Sequence, residues 1–300
     1  MVQLSDDVVI CVGVTLSSTG IVTPVNVSGT NPVSNLSWTL GASIVRDFTN
    51  KFAQFGLAGL DAERFAMAYA KSNDSGNLVV VGSYVASGPS LTTGTKFSTG
   101  LSTGTSPTFR RVELVGITAS QAVMMVDSNA YLLDVSGTTV SSMSSAVAIS
   151  GYSNLRWPWM SRLSDSIFLL TALDDDGSTP RLMSMLGQVN AGVLTFGTPT
   201  VIETANITDF ATSTLTPNRA MLSYVDTSDL GVTRVLAVSG GSVAAGAAVT
   251  MSGSDTVQWM TATGLTNSLG AALYSKTSDA DVYVWAGTAL PVALSAFECD

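Results

Sequence analysis

The side chains best suited to ligand recognition lie between Arg156 and Arg162, where Trp157 and Trp159 flank a proline. Arginine and tryptophan are typical of binding hot spots, because they combine broad apolar surfaces with fixed hydrogen-bond donors. The segment therefore predicts a binding site formed by Arg156, Trp157, Trp159 and Arg162. The alternative is that the indoles wedge between neighbouring repeats of the fold, because large aromatic side chains more often belong to the core. The similar setting of Trp259 favours that alternative.

A second group with possible chemistry is the acidic run Asp174-Asp175-Asp176, which is followed by glycine. Hard oxygen ligands in a turn suit Ca²⁺, so the run is a candidate calcium site at Asp174, Asp175 and Asp176. The spacing is not that of an EF-hand loop, and no glutamate follows at the required place. A solvated acidic turn is the alternative.

Catalytic groups are scarce. The chain contains no histidine, which excludes nucleophile–histidine systems and histidine-ligated metals. The two cysteines, Cys11 and Cys299, cannot build a four-cysteine zinc site. A glycosidase needs only two carboxylates and stays open as an alternative, although no carboxylate has an obviously special context. We therefore predict no enzyme and no cofactor.

Composition narrows the range of partners. Of 300 residues, 46% are hydrophobic and only 12% are charged, with a net charge of −9. Such a chain has little electrostatic attraction for nucleic acid. No apolar run reaches the length of about 18 residues needed for a membrane helix. The N-terminus has no basic region, so no secretion signal is expected.

The elements that must position these residues are short β-strands arranged in a repeat. Each repeat has an apolar run, an acidic or polar turn, a second β-rich run and a Gly/Ala/Ser loop. The first runs end 47 to 57 residues apart, at Val14, Tyr69, Val126, Leu173, Tyr224 and Tyr274. Periods of this size are typical of propeller blades. We predict an all-β fold, a six-bladed β-propeller of four-stranded antiparallel blades; a parallel β-helix or paired sandwiches explain the repeat less well.

The whole chain, residues 1–300, is expected to be one propeller domain. The predicted blades span approximately residues 1–40, 55–100, 109–145, 155–200, 207–252 and 257–300. A short helical insert is predicted at residues 43–55, because Ile44, Phe48, Phe52 and Phe55 have helical spacing. The alternative there is a long innermost strand. Ring closure would bring Cys11 and Cys299 near each other, which leaves a disulfide bond open.

Three turns share the pattern Asp-x-Gly, at Asp74–Gly76, Asp175–Gly177 and Asp229–Gly231. Aspartate caps such turns with its side chain, and glycine supplies the positive φ. The pattern resembles the Asp-box turn of sialidase-type propellers, although the aromatic residue that ends that box is absent. In that family the box is a folding element, so the resemblance implies a structural role.

The segment Gln188–Pro199, with its Gly-Val-Leu-Thr-Phe-Gly core, resembles repeats in β-propellers of tailed-phage structural proteins. The resemblance implies a virion protein of a tail fibre, spike or capsid surface, with other virion proteins, further copies of the chain or a host glycan as partners. It carries over no functional residue. A free lectin-like carbohydrate-binding propeller is the first alternative, and a sialidase-like glycoside hydrolase is the second.

Overall fold

The computed structural model describes residues 2–5, 8–14, 20–28, 37–40, 44–46, 52–71, 77–85, 90–101, 112–175, 179–205, 207, 209–253, 256–264, 270–276 and 282–287. The chain divides into two compact units, Met1–Ala148 and Ile149–Asp300. Within the described ranges, no helix is long and apolar enough to cross a membrane. Cys299 and Asp176 lie outside these ranges.

The regular structure of the described residues is entirely β-strand. The first sheet contains β1 (Val2–Ser5), β2 (Val8–Val14), β3 (Gly20–Ser28), β4 (Ser37–Leu40) and β5 (Ile44–Arg46). The second contains β6 (Phe52–Gly59), β7 (Arg64–Lys71), β8 (Asn77–Val85), β9 (Ser90–Thr93) and β10 (Phe97–Ser98). The third contains β11 (Val112–Thr118), β12 (Gln121–Val126), β13 (Asn129–Ser136), β14 (Thr139–Met143) and β15 (Val147–Ala148).

The sheets of the second unit follow the same order of strands. The fourth sheet contains β16 (Leu155–Arg162), β17 (Ile167–Asp174), β18 (Arg181–Asn190), β19 (Val193–Phe196) and β20 (Thr200–Thr204). The fifth contains β21 (Phe210–Thr216), β22 (Arg219–Val225), β23 (Gly231–Ser239), β24 (Ser242–Ala245) and β25 (Val249–Thr250). The sixth contains β26 (Val257–Gly264), β27 (Gly270–Lys276) and β28 (Val282–Gly287).

Each five-stranded sheet is a four-stranded antiparallel blade whose outermost strand is broken in two. In the third sheet, for example, β14 and β15 pair with opposite ends of the same edge of β13. The second to fifth sheets are blades of this kind, and their side chains are described. The structure therefore shows four such blades, not the six that the sequence predicts. The side chains of the first sheet lie outside the described residues, and the sixth sheet has three strands.

The first strands of successive sheets pack against each other within each unit, as in a β-propeller. In the first unit β6 contacts β11, and in the second unit β21 contacts both β16 and β26. The sheets thereby bury their apolar faces against neighbouring sheets, which is how blades of this kind acquire a core. A single domain over residues 1–300 stays a prediction.

Backbone hydrogen bonds fix a common register for the four blades. Where the outer strand breaks, one N–H donates to the third strand of the blade: Gly94 to Val81, Ser144 to Leu132, Gly197 to Leu186 and Gly246 to Val235. The residues opposite these acceptors on the second strands are Ala66, Val123, Leu169 and Met221. In this register Ala172, not Leu173, corresponds to Tyr69, Val126 and Tyr224. The end of the first apolar run at Leu173, which the sequence aligns with Tyr69, Val126 and Tyr224, is therefore one residue out of register.

The predicted helical insert at residues 43–55 is wrong where the structure describes it. Ile44–Arg46 is strand β5, and Phe52–Gly59 is strand β6, the first strand of the second sheet. The pairing register of β6 shifts by one residue between Phe52 and Gln54. A one-residue bulge breaks the two-residue period of a strand, so a spacing of three, as between Phe52 and Phe55, is compatible with a strand.

The fourth and fifth sheets bury hydroxyl pairs at positions where the second and third sheets have apolar side chains. Thr171 and Ser184 face each other across β17 and β18, are fully buried, and share a hydrogen bond of 2.8 Å. The fifth sheet has Ser223 and Thr233 at the same positions. The second and third sheets have apolar pairs there, Ala68 with Val79 and Met125 with Ala130.

This contrast predicts a coupling that a double-mutant cycle can measure. Thr171→Val alone leaves the Ser184 hydroxyl buried without its partner and should cost about 1–2 kcal/mol of unfolding free energy. Thr171→Val combined with Ser184→Ala should cost less than the sum of the single changes, since no unpaired hydroxyl remains. Urea denaturation of the four proteins measures the coupling. Additive costs would contradict the expectation.

Candidate functional site: the interface of the fourth and fifth sheets

The fourth and fifth sheets enclose the main core of the second unit. Side chains from both sheets form one buried cluster: Leu163, Leu169, Leu173, Leu182, Leu186, Ile202, Ile207, Phe210, Ala220, Leu222, Tyr224, Val232, Leu236 and Val243. Trp157 and Trp159 pack against this cluster and are partly buried. Polar groups lie on strands at two edges of the interface, and both edges are candidates for recognition.

Along the first strands, Trp159 bridges the fourth and fifth sheets. Its indole N–H donates to the carbonyl oxygen of Thr212 on β21 at 2.9 Å. The Ser161 hydroxyl contacts the Thr212 hydroxyl at 2.8 Å, and the Thr214 hydroxyl donates to the Arg162 carbonyl. Trp159 is therefore engaged between two sheets, as the packing alternative proposed.

The corresponding interface of the first unit is closed by glycine instead. A Cβ placed on Gly56 of β6, the repeat equivalent of Trp159, would lie 2.7 Å from the backbone nitrogen of Leu114. A Cβ on Gly116 of β11 would lie 1.9 Å from the carbonyl oxygen of Gly59. The backbones of β6 and β11 thus meet directly, whereas in the second unit Trp159 of β16 places an indole against the backbone of β21.

Arg156 and the acidic turn meet at the start of β16. The Arg156 Nη1 lies 2.5 Å from the Asp175 Oδ2. Asp174 is fully buried; its Oδ1 accepts from the backbone N–H of Ser153 and of Asn154, and its Oδ2 lies 2.5 Å from the Arg181 Nη2. Both described carboxylates of the run are thereby compensated by arginine.

The calcium site at Asp174, Asp175 and Asp176 stays a prediction, because Asp176 lies outside the described residues. Among the described residues, no group of three or more His, Cys, Asp or Glu side chains could hold a metal ion.

Burial, together with the nearby charge of Asp174, raises the pKa of Tyr152 far above its usual range. The phenol of Tyr152, which donates to the Met183 carbonyl oxygen, is therefore un-ionised at neutral pH.

The four residues predicted to bind do not come together in one site. Arg162 lies six residues from Arg156 on the same strand, which places it about 20 Å away at 3.3 Å per residue. There it pairs with the exposed Asp165 at 2.5 Å. Arg156 and Trp157 lie at the beginning of β16, and Trp159 bridges to β21. Ligand binding by any of these residues stays a prediction.

A polar cluster that the sequence analysis missed lies where β20 of the fourth sheet meets β22 and β23 of the fifth. The Arg234 Nη2 bonds to the Glu203 Oε2 at 2.6 Å, and the Arg234 Nε donates to the Tyr224 hydroxyl at 3.0 Å. The Tyr224 hydroxyl donates to the same Glu203 oxygen at 3.2 Å. The Arg234 Nη1 donates to the Gly246 carbonyl at 3.2 Å.

The cluster is partly open to solvent and has bonding capacity left. The side chains of Arg234 and Glu203 are 20% and 32% exposed. A guanidinium carries five N–H donors, of which three are used here. Both bonds to Glu203 end on Oε2, and within the described part of the chain Oε1 has no hydrogen bond. Among the described residues, two N–H groups of Arg234 and one carboxylate oxygen of Glu203 therefore have no hydrogen-bond partner.

The ionisation states of the cluster are set by burial and by mutual contacts. Burial raises the pKa of Tyr224, against the opposing hydrogen bond and charge of Arg234. Burial alone would lower the pKa of Arg234, but Tyr224 and Glu203 more than compensate and raise it. At neutral pH the cluster therefore holds a protonated phenol and a charged guanidinium.

The cluster could have been found in the sequence by comparing the residues at equivalent positions of the four blades. In the common register the position of Arg234 is occupied by Val80, Tyr131 and Met185 in the other three blades. These three residues are buried and uncharged. A blade therefore folds without an arginine at this position, so the ion pair between the fourth and fifth sheets is an addition to the repeat.

Comparisons with known proteins support the fold. No family model and no curated protein matches the sequence. A triple arginine mutant of AofleA from Arthrobotrys oligospora is similar in structure, with a TM-score of 0.61, 7% identity, and coverage of 95% of this chain and 81% of that one. The SapL1 lectin in complex with alpha methyl fucoside has a TM-score of 0.48 and 10% identity, with coverage of 95% of this chain and 94% of that one. The NanB sialidase of Streptococcus pneumoniae has a TM-score of 0.46 and 12% identity, with coverage of 87% of this chain and 40% of that one.

The similarity to AofleA shows a common propeller-type fold and nothing more, because so few residues are identical. The two weaker similarities carry no conclusion about this chain. These three proteins give no support for a phage or virion protein, so the virion role, the virion partners and the assembly of several copies stay predictions.

Proposed function

We propose that the protein is a carbohydrate-binding β-propeller and that the Glu203–Tyr224–Arg234 cluster recognises the ligand. The observation that carries the proposal is the remaining bonding capacity of a partly exposed ion pair that the repeat does not require. The predicted lectin-like alternative thus takes the place of virion attachment as the leading function.

The chemistry of the cluster suits a neutral sugar with two adjacent hydroxyl groups. A guanidinium presents several N–H donors in one plane, and a carboxylate oxygen accepts from a hydroxyl. An Arg–Glu pair can therefore donate to one sugar hydroxyl and accept from its neighbour. A charged sugar carboxylate would face Glu203 at close range, which like-charge repulsion disfavours. We therefore expect neutral sugars to bind better than acidic ones.

Binding fits the cluster better than hydrolysis does. A tyrosine nucleophile would have to lose its proton, whereas burial raises the pKa of Tyr224 and keeps the phenol protonated. In addition, the Tyr224 hydroxyl is already held between Arg234 and Glu203. The cluster is thus a preorganised set of donors and acceptors.

The test is a binding titration with methyl glycosides of neutral and acidic monosaccharides. Glu203→Gln keeps the size of the side chain but removes its charge, and Arg234→Lys keeps the charge but removes the planar donor set. Each change should weaken binding of a neutral glycoside by tenfold or more, because a hydrogen bond to a charged group is worth about 1.5–3 kcal/mol.

Asp165→Asn is the matched control, since it also removes a carboxylate paired with arginine but at a site that is 83% exposed. It should leave the affinity unchanged, because an exposed ion pair contributes little. Unchanged glycoside affinity in both Glu203→Gln and Arg234→Lys, with the fold intact by circular dichroism, would reject the cluster as the binding site.

A further inference from the structure

Trp157 has a backbone conformation that bulky residues avoid. Its φ is +48°, in the left-handed region, and it lies at a bulge of β16. Arg156 pairs with Leu173 and Trp159 pairs with Thr171, so Trp157 and the following proline together oppose only Ala172. In bulges of this geometry the left-handed position is ordinarily glycine, because a side chain there costs free energy.

The repeat does not require this conformation. The equivalent pairs of the third sheet, Val112 with Val126 and Glu113 with Met125, follow each other without a register shift. The fifth sheet is equally regular at Phe210 and Ala211. The first strands of the second and sixth sheets carry a bulge close to this position, between Phe52 and Gln54 and between Val257 and Trp259. A bulge is therefore a recurring but not a necessary feature of first strands, and glycine would fit the left-handed position better than tryptophan. Strain of this kind is concentrated at functional sites, where a side chain must be held in one place.

The surroundings of Trp157 supply the other parts of a recognition site. The side chain is partly buried against the core and partly exposed. Its neighbour Arg156 is fixed by the 2.5 Å ion pair with Asp175, and both side chains remain about one quarter to one fifth exposed, at 26% and 21%. Trp157 directly follows Arg156 in the chain, so an aromatic side chain and a fixed Arg–Asp pair belong to the same end of β16. Together they supply a stacking face and hydrogen-bond donors and acceptors.

We propose that Trp157, Arg156 and Asp175 form a second carbohydrate site, separate from the Glu203–Tyr224–Arg234 cluster. The ligand is a neutral pyranoside, whose apolar ring face stacks on the indole while its hydroxyl groups bond to the ion pair. The ligand class rests on the proposed function, but the site itself rests on the bulge and its neighbours.

Two variants test the site without destroying the fold. Trp157→Gly places the residue best suited to φ +48° at the bulge and removes the stacking surface. Trp157→Phe keeps an aromatic face but removes the indole. Native mass spectrometry with methyl glycosides counts the ligands bound per chain, and tryptophan fluorescence reports contact with the indole. The comparison proteins are wild type, Glu203→Gln and the Asp165→Asn control.

Two glycosides per wild-type chain are expected, falling to one in Trp157→Gly and to one in Glu203→Gln. The glycoside-induced fluorescence change should vanish in Trp157→Phe, while binding weakens only severalfold. One ligand per chain that is lost in Glu203→Gln and kept in Trp157→Gly would overturn the second site and leave the proposed function standing. One ligand lost only in Trp157→Gly would support this site and reject the cluster. Absence of binding throughout the panel overturns both.

Discussion

Gly187→Ala is expected to lower the free energy of unfolding of the second unit by about 2–3 kcal/mol, because it overfills a closed space. A Cβ on Gly187 would lie 2.0 Å from the tip of the Phe168 ring, directly across β17 and β18. Phe168 is fully buried and packs edge-to-face on Phe196 with ring centroids 5.8 Å apart. A shift of the ring away from the new Cβ would disturb this buried packing, so relief of the overlap is expected to cost free energy. Thermal and urea unfolding measure the loss.

The other blades show how the same space can be filled differently. The second sheet repeats the large–small pair as Phe65 opposite Gly82, with the Cβ position of Gly82 2.4 Å from the ring. The third and fifth sheets reverse it: Ala122 opposes Leu133, and Ala220 opposes Leu236. Either arrangement thus fills the volume between the second and third strands of a blade.

Exchanging the large and the small residue of this pair should restore stability that a single change removes. Phe168→Ala alone should cost about 3–5 kcal/mol through the cavity it leaves. Combined with Gly187→Leu it reproduces the arrangement of the third and fifth sheets, so the double variant should be more stable than either single one. Full recovery is not expected, since the contact with Phe196 is lost.

Gly197→Ala is the control, because its Cβ would meet the nearest atom only at 3.4 Å, an ordinary contact. It should change stability by well under 1 kcal/mol. A Gly187→Ala protein as stable as the Gly197→Ala protein would mean that the ring can move aside and would contradict the packing argument.

The sequence predicts the strands and their repeat well, because alternating apolar residues and Asp/Gly turns are local signals. It failed at Leu173, where the run of apolar residues continues past the register point and the correct equivalent is Ala172. Hydrogen bonds from the break in each outer strand settle that register. Such bonds depend on the pairing of strands, which an apolar run alone does not specify. The same limit explains the helix wrongly predicted around Phe52.

The candidate sites likewise include features that the sequence could predict and features that it could not. Trp157 could be selected from the sequence because tryptophan and arginine are unusual in a chain rich in small residues. Its bulge could not, since a bulge is defined by the partner strand. Glu203 and Arg234 are 31 residues apart and belong to different sheets, so only the packing of those sheets brings them into contact. An arginine at a repeat position otherwise held by Val80, Tyr131 and Met185 was the available signal.

Asp174→Ala is the second change with a large expected effect, about 3 kcal/mol of unfolding free energy. It removes a fully buried carboxylate that accepts from two backbone N–H groups, of Ser153 and Asn154, and pairs with Arg181. Those N–H groups would lose their partner, and Arg181 would keep a charge whose Nε is buried without a hydrogen bond. Removing one member of a buried ion pair is costly for this reason. Urea unfolding measures the loss.

Two further variants separate the charge from the hydrogen bonds. Asp174→Asn keeps an oxygen for the N–H groups of Ser153 and Asn154 but leaves Arg181 unpaired, so it should cost less than Asp174→Ala. Adding Arg181→Met removes the remaining charge, and Asp174→Asn with Arg181→Met should then be more stable than Asp174→Asn alone. If Arg181→Met gives no recovery, the ion pair contributes little and the loss in Asp174→Ala belongs to the backbone N–H groups. Equal stability of Asp174→Ala and wild type would show that water replaces the carboxylate, contrary to its complete burial.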